Sequence, residues 1–102
     1  MRFEFGGCVV EWRGPAPYYF VPVPEEECEE VRAVAGMASY GWGVVPVEVT
    51  LGGVGGVGGV VFETSLFPKD GGYLLPLKSA VRKAQGVGAG DEVRVVMRVR
   101  VG

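Results

Sequence analysis

The stretch Glu63–Val99, ETSLFPKDGGYLLPLKSAVRKAQGVGAGDEVRVVMRV, decides the fold. It opens as a strand that ends near Phe67-Pro68, and Asp70-Gly71-Gly72 supplies the positive φ values a tight return needs. Tyr73-Leu74-Leu75 is the returning strand. Pro76 suits a first helical turn, where its missing N–H would be an orphan anyway. A helix is predicted over Leu77 to Gln85, with Gly86 at the left-handed C-terminal position. Leu77, Ala80, Val81 and Ala84 form its apolar stripe; Lys78 and Arg82 lie one turn apart on a second face, Ser79 and Lys83 on a third. Asp91 closes the following glycine loop by accepting backbone N–H groups. The last strand, Glu92 to Val101, alternates, with Val93, Val95, Met97, Val99 and Val101 inward and Arg94, Val96, Arg98 and Arg100 outward. One buried and one wet face is the mark of an antiparallel sheet or small barrel.

The first half repeats the theme more loosely. Arg2 to Arg13 reads as a strand interrupted at Gly6-Gly7. Gly14-Pro15-Ala16-Pro17 is a turn, and Tyr18 to Val23 a second strand in which Pro22 marks an edge or an end. Pro24 opens a helix whose Glu25, Glu26 and Glu27 suit the positive end of the dipole, and Gly36 is placed as its C-terminal cap. Val45, Val47, Val49 and Leu51 form one face of a strand, with Pro46, Glu48 and Thr50 on the other. Val60 to Phe67 is apolar on both faces, so a well-covered strand is expected. Between these two strands lies GGVGGVGGV. It satisfies GxGxxG formally at Gly53 to Gly58, but a strand-like segment follows where a phosphate-binding loop needs a helix. It reads as an expanded hairpin loop. The strand–Pro–helix–Gly order occurs twice, at Tyr19–Gly36 and Tyr73–Gly86, as a duplicated half would produce.

Bulk composition bounds the function. The 102 residues form one domain, 1–102, with 48% hydrophobic residues and a net charge of −2, enough for a core without staples. Residues 1–67 carry three basic and nine acidic side chains, and residues 68–102 carry seven and three. A dedicated duplex-DNA binder has a larger basic surplus, which argues against nucleic acid as the partner. Cys8 and Cys28 read as small buried hydrophobes rather than as a disulfide framework. With no histidine, no nucleophile–base pair and no metal-ligand spacing, the chain is read as a non-enzyme without cofactors. No signal-like or membrane-spanning run is present, so a cytoplasmic protein without membrane contact is expected. Monomer and homodimer are equally compatible with the sequence.

Specific segments carry a resemblance: Tyr18-Tyr19-Phe20-Val21-Pro22-Val23-Pro24, Val45-Pro46-Val47-Glu48-Val49-Thr50-Leu51-Gly52-Gly53, Thr64-Ser65-Leu66-Phe67-Pro68, Gly72-Tyr73-Leu74-Leu75-Pro76-Leu77, Ala80-Val81-Arg82-Lys83-Ala84 and Gly90-Asp91-Glu92-Val93. Together they resemble the small prokaryotic domain-of-unknown-function family 1905. The resemblance implies a mainly β fold, a small antiparallel double-split (pseudo-twofold) β-barrel capped by two short helices, similar to the AbrB/MazE transcription factors. It brings no catalytic residues. The chain departs from the family pattern at Val54 to Val60, which looks inserted.

Three functional classes follow. The first is a binding module for an anionic ligand or a protein partner. Its candidate residues are Thr64 and Ser65 beside Lys78, Arg82 and Lys83, provided the second helix packs by that strand. The bland alternative pairs Arg82 with Glu63 or Asp91. The second is AbrB-like DNA binding along Arg94, Arg98 and Arg100, unless Glu4, Glu11 and Glu48 neutralise that ladder. An enzyme without a recognisable motif is the third.

Overall fold

The Lys69–Gly72 turn shows how local chemistry sets the topology. Asp70 (φ 51°) and Gly71 (φ 81°) are both left-handed, and Lys69 pairs directly with Gly72. This is a two-residue hairpin whose twist matches its strands. The computed structural model describes residues 2–14, 18–38, 44–52 and 59–100. In chain order they form β1 (Arg2–Cys8), β2 (Val10–Trp12), β3 (Tyr18–Pro22), α1 (Glu25–Ala38), β4 (Val45–Gly52), β5 (Val60–Lys69), β6 (Gly72–Leu77), α2 (Ser79–Gln85) and β7 (Glu92–Val99). The fold is mainly β: seven antiparallel strands in a curled half-barrel, with two short helices.

The strand order is β1-β7-β4-β5-β6-β3-β2. β5 serves two partners in succession, pairing with β4 over Val60–Leu66 and with β6 over Phe67–Lys69. The run from Arg2 to Trp12 does the same, β1 pairing with β7 and β2 with β3. β4 pairs with β7, and β3 with β6. The pairing scheme is therefore unchanged when the two halves of the chain are exchanged, as the duplicated strand–helix order anticipates.

The inward residues make one core: Phe3 and Phe5, Val45, Val47, Val49 and Leu51, Leu66, Tyr73, Leu75 and Leu77, and Val93, Val95, Met97 and Val99. Val31 and Cys28 of α1 and Val81 of α2 join it. The alternation expected of the last strand is present through Val99, and Val101 lies outside the described residues. At Gly7, a Cβ would sit 2.5 Å from Val21 Cγ1. Only glycine lets β1 and β3 approach closely enough for the sheet to curl there.

Several sequence expectations are corrected. The first strand does not break at Gly6-Gly7, which stay paired with β7. It breaks at Val9, whose N–H donates to Asp91 O (2.9 Å) while its carbonyl accepts from Gly90 N (2.8 Å). The Gly90–Asp91 loop thus holds the crossing point between the two partner sets, and both backbone groups of buried Val9 are satisfied. Pro76 is a β6 residue opposite Phe20, and α2 starts three residues later. By Pro76 the β5 ladder has ended, so the missing N–H falls on a free strand edge. α1 runs to Ala38, through the glycine placed at its cap. Ala80 and Ala84 of α2 are exposed, leaving Val81 as its buried residue, because the helix is only two turns long and touches the core with one. β5 is covered on one face only: Val61 is 63% and Phe67 50% exposed. Cys8 is exposed rather than buried, since its position on β1 faces away from the core; Cys28 is buried and donates its thiol to Val23 O.

Other expectations hold. Gly86 (φ 64°) ends α2, with Val87 N donating to Arg82 O and Gly86 N to Lys83 O. Asp91 Oδ2 accepts from Gly88 N at 2.8 Å. The strands flanking the Gly-Gly-Val repeat pair as a hairpin, Leu51 opposite Val60, and β5 follows where a phosphate loop needs a helix. Residues 53–58 themselves lie outside the described residues, as do 15–17 of the first turn. Among the described residues no helix is long and apolar enough to cross a membrane.

Candidate functional site

α2 packs against β5, as the sequence grouping requires. Its basic side chains nevertheless gather elsewhere. Thr64 and Ser65 are consecutive on β5, opposite Val47 and Pro46, so they project to opposite faces of the sheet. Neither lines the hollow that receives Lys78 and Arg82. That hollow, about 330 Å³, is bounded by Tyr18, Tyr19, Pro76, Leu77, Lys78, Ser79 and Arg82. Lys83 is exposed on α2 and does not line it. Of the five, Lys78 and Arg82 line this hollow, and Thr64, Ser65 and Lys83 do not.

Arg82 decides the geometry. Its guanidinium carbon lies 3.7 Å from the centroid of the Tyr19 ring, a cation–π contact at stacking distance. Tyr19 Oη donates to Glu11 Oε2 at 2.8 Å, and Arg13 Nε donates to Glu11 Oε1 at 3.0 Å. The Tyr19 hydrogen bond, seconded by Arg13, holds the Glu11 carboxyl below the usual glutamate range. Glu11 in turn raises the Tyr19 hydroxyl above its ordinary value. Neither partner proposed for Arg82 from sequence takes it: Glu63 accepts Arg100 (3.0 Å) and Asp91 accepts Gly88 N. Arg82 Nε is closed off from solvent without a hydrogen-bond partner, an arrangement that protein interiors seldom tolerate. The opening beside it presents the Lys78 ammonium, the Ser79 hydroxyl and two tyrosine rings. It can hold an anion by charge and hydrogen bonds, and a flat group against a ring.

The arginine ladder sits on the other outer face of the sheet. Arg98 lies opposite Glu48 in register, Arg2 pairs with Glu4 at 3.4 Å, and Arg100 is taken by Glu63. Glu11, expected to neutralise that ladder, is on β2 with Tyr19 and Arg13. Among the described residues, no three Cys, Asp or Glu side chains gather as metal ligands.

The model of the family described as a domain of unknown function (DUF1905) matches residues 5–97. The chain belongs to the DUF1905 family. No curated protein matches its sequence. The matched span holds every residue of the hollow, so the site lies wholly within the DUF1905 domain. Tyr18 and Tyr19 were missed as site residues from sequence, where they served only as strand formers. The available signal was two adjacent tyrosines on a short strand: alternation sends one ring to each face, and the site wraps the strand end.

Proposed function

We propose that this DUF1905 domain is a non-enzymatic binding domain, and that it takes a small anion or an anionic group at Lys78, Ser79 and Arg82, against the rings of Tyr18 and Tyr19. The carrying observation is Arg82, its guanidinium stacked on Tyr19 at the wall of an open hollow that Lys78 and Ser79 also line. A ligand bearing both a phosphate-like group and a planar ring uses every group there. The exchange-symmetric pairing supports reading the half-barrel as a double-split β-barrel of the AbrB kind. DNA binding of that kind is the weaker reading, because Arg100 is already engaged by Glu63 and Arg98 faces Glu48. The free thiols of Cys8 and Cys28 suit a reducing, cytoplasmic setting.

The test is thermal shift and calorimetry with inorganic phosphate, pyrophosphate and AMP. Binding is expected to weaken about tenfold in Lys78→Ala, by loss of a charge-assisted contact of roughly 1.5 kcal/mol. Thr64→Ala should leave it unchanged. No shift with any of the three anions, or equal binding by Lys78→Ala, overturns the reading.

A further inference from the structure

The two outer faces of the sheet differ in chemistry. Over β1, β7, β4 and the first part of β5 the outward residues are largely charged, Arg2, Glu4, Arg94, Arg98, Glu48 and Glu63, with Val61 and Val96 as single apolar positions among them. Over β2, β3, β6 and the end of β5 they are apolar. Trp12 is opposite Tyr18, Val10 opposite Phe20, Phe20 opposite Pro76, and Leu74 opposite both Pro22 and Phe67. The rings run together, Trp12 to Tyr18 at 5.4 Å and Tyr18 to Phe20 at 5.5 Å. Trp12 remains 45%, Tyr18 39%, Val10 38% and Phe67 50% exposed. With about 150–250 Å² in each aromatic side chain, the uncovered apolar surface is on the order of 450 Å², at the size where a patch has a purpose.

We propose that this face is a homodimer interface, occupied by a second copy of the chain packed sheet against sheet. Two observations favour a copy over another occupant. One is area: a standard interface takes roughly 800 Å² from each partner, a little over half of it apolar, which is what this face offers. The other is self-complementarity, the requirement of a twofold contact. The face carries both a knob and a hollow. Trp12 stands at one side, its indole laid over Gly14, where a Cβ would run into the ring. Beside it, Tyr18, Leu74, Pro76, Phe67, Pro68 and Lys69 line a hollow of about 500 Å³, roomy enough for an indole. A twofold axis passing near Tyr18 lets each Trp12 enter the other copy's hollow. Lys69 lines the hollow at its β5–β6 turn end and Lys78 follows the far end of β6, which leaves the rings of Trp12, Tyr18 and Phe20 as an apolar stretch with charge at its rim.

Sedimentation velocity from low to high micromolar concentration tests this. The wild type is expected to pass from the 10.8 kDa monomer to a species of twice that mass. Phe67→Glu, which puts a charge in the centre, should raise the dimer dissociation constant by roughly 30-fold or more, the effect of an interface hot spot. Trp12→Ala should weaken the dimer similarly, whereas Val61→Glu, on the solvated face, should leave it intact. Circular dichroism melts establish that each variant is folded, and phosphate binding by Phe67→Glu reads the anion site separately. A wild type that stays monomeric throughout overturns the proposal and passes the face to another partner, such as a different protein or a nucleic acid. A folded Phe67→Glu that dimerises like the wild type also overturns it.

Discussion

Gly7→Ala probes the close approach of edge strand β1 to β3 across the curled sheet. The new Cβ would stand 2.5 Å from Val21 Cγ1, well inside contact distance. Val21 is fully buried, and a β-branched side chain has little χ1 freedom to move aside, so overpacking should cost about 1–3 kcal/mol. Gly7 does not have a positive φ, so alanine also lowers the entropy of the unfolded chain and returns about 0.4–1 kcal/mol. The net is a loss of about 1–2 kcal/mol, a Tm fall of roughly 5–15 °C for a domain of this size. Val21→Ala alone should cost about 2 kcal/mol through two lost methyl groups and a cavity. In the double variant the methyl group introduced at Gly7 occupies space that Val21 vacates, so its stability should be no lower than that of Val21→Ala. The coupling is then about 1–2 kcal/mol in favour of the pair, measured by urea unfolding of the four proteins. Gly6→Ala is the control, because its Cβ would meet Arg94 Nη1 at an ordinary 3.7 Å. A Gly7→Ala protein as stable as wild type, or a cycle additive to within about 0.5 kcal/mol, refutes the close packing of β1 on β3.

Gly86→Ala places a side chain at φ 64° and should cost about 1 kcal/mol, while Gly88→Ala, with open space around its Cβ and no positive φ, should be neutral or mildly stabilising; thermal melts compare them. Asp91→Ala removes the acceptor for Gly88 N and loosens the loop that holds Val9, so a loss of about 1 kcal/mol is expected by urea unfolding, with faster amide exchange at Gly88. Glu11 has a lowered pKa, so its interaction with Tyr19 stabilises the fold above the ordinary glutamate value of 4.5 and is lost as pH falls through the lowered one. Tyr19→Phe should move the Glu11 titration upward, as followed by carboxylate carbon shifts, and an unmoved titration contradicts the hydrogen bond. Because Tyr19 is raised, the same contact is also lost as pH climbs through its folded value above 10.0.

Local rules were legible wherever a residue type answers to its own backbone. Asp70-Gly71 sets a hairpin, Gly86 ends a helix, Asp91 caps its loop, and the valine alternation of β4 and β7 names the core face. Those effects act within a few residues, and the repeated strand–helix order carried them to the symmetry of the pairing. Position across the sheet was not legible. Val9 is one valine among many until the Gly90–Asp91 loop, far along the chain, takes both its backbone groups. Pro76 looks like a helix start until the end of the β5 ladder gives it a free edge. The same reason separates the expected site from the one that forms. Lys78 and Arg82 could be paired by helical spacing, but Tyr19 and Glu11 reach Arg82 only through the β3–β6 and β2–β3 pairings. Strand alternation sends Thr64 and Ser65 to opposite faces. Sequence determined which residues turn, cap and bury; the tertiary pairing alone decided which of the exposed ones meet.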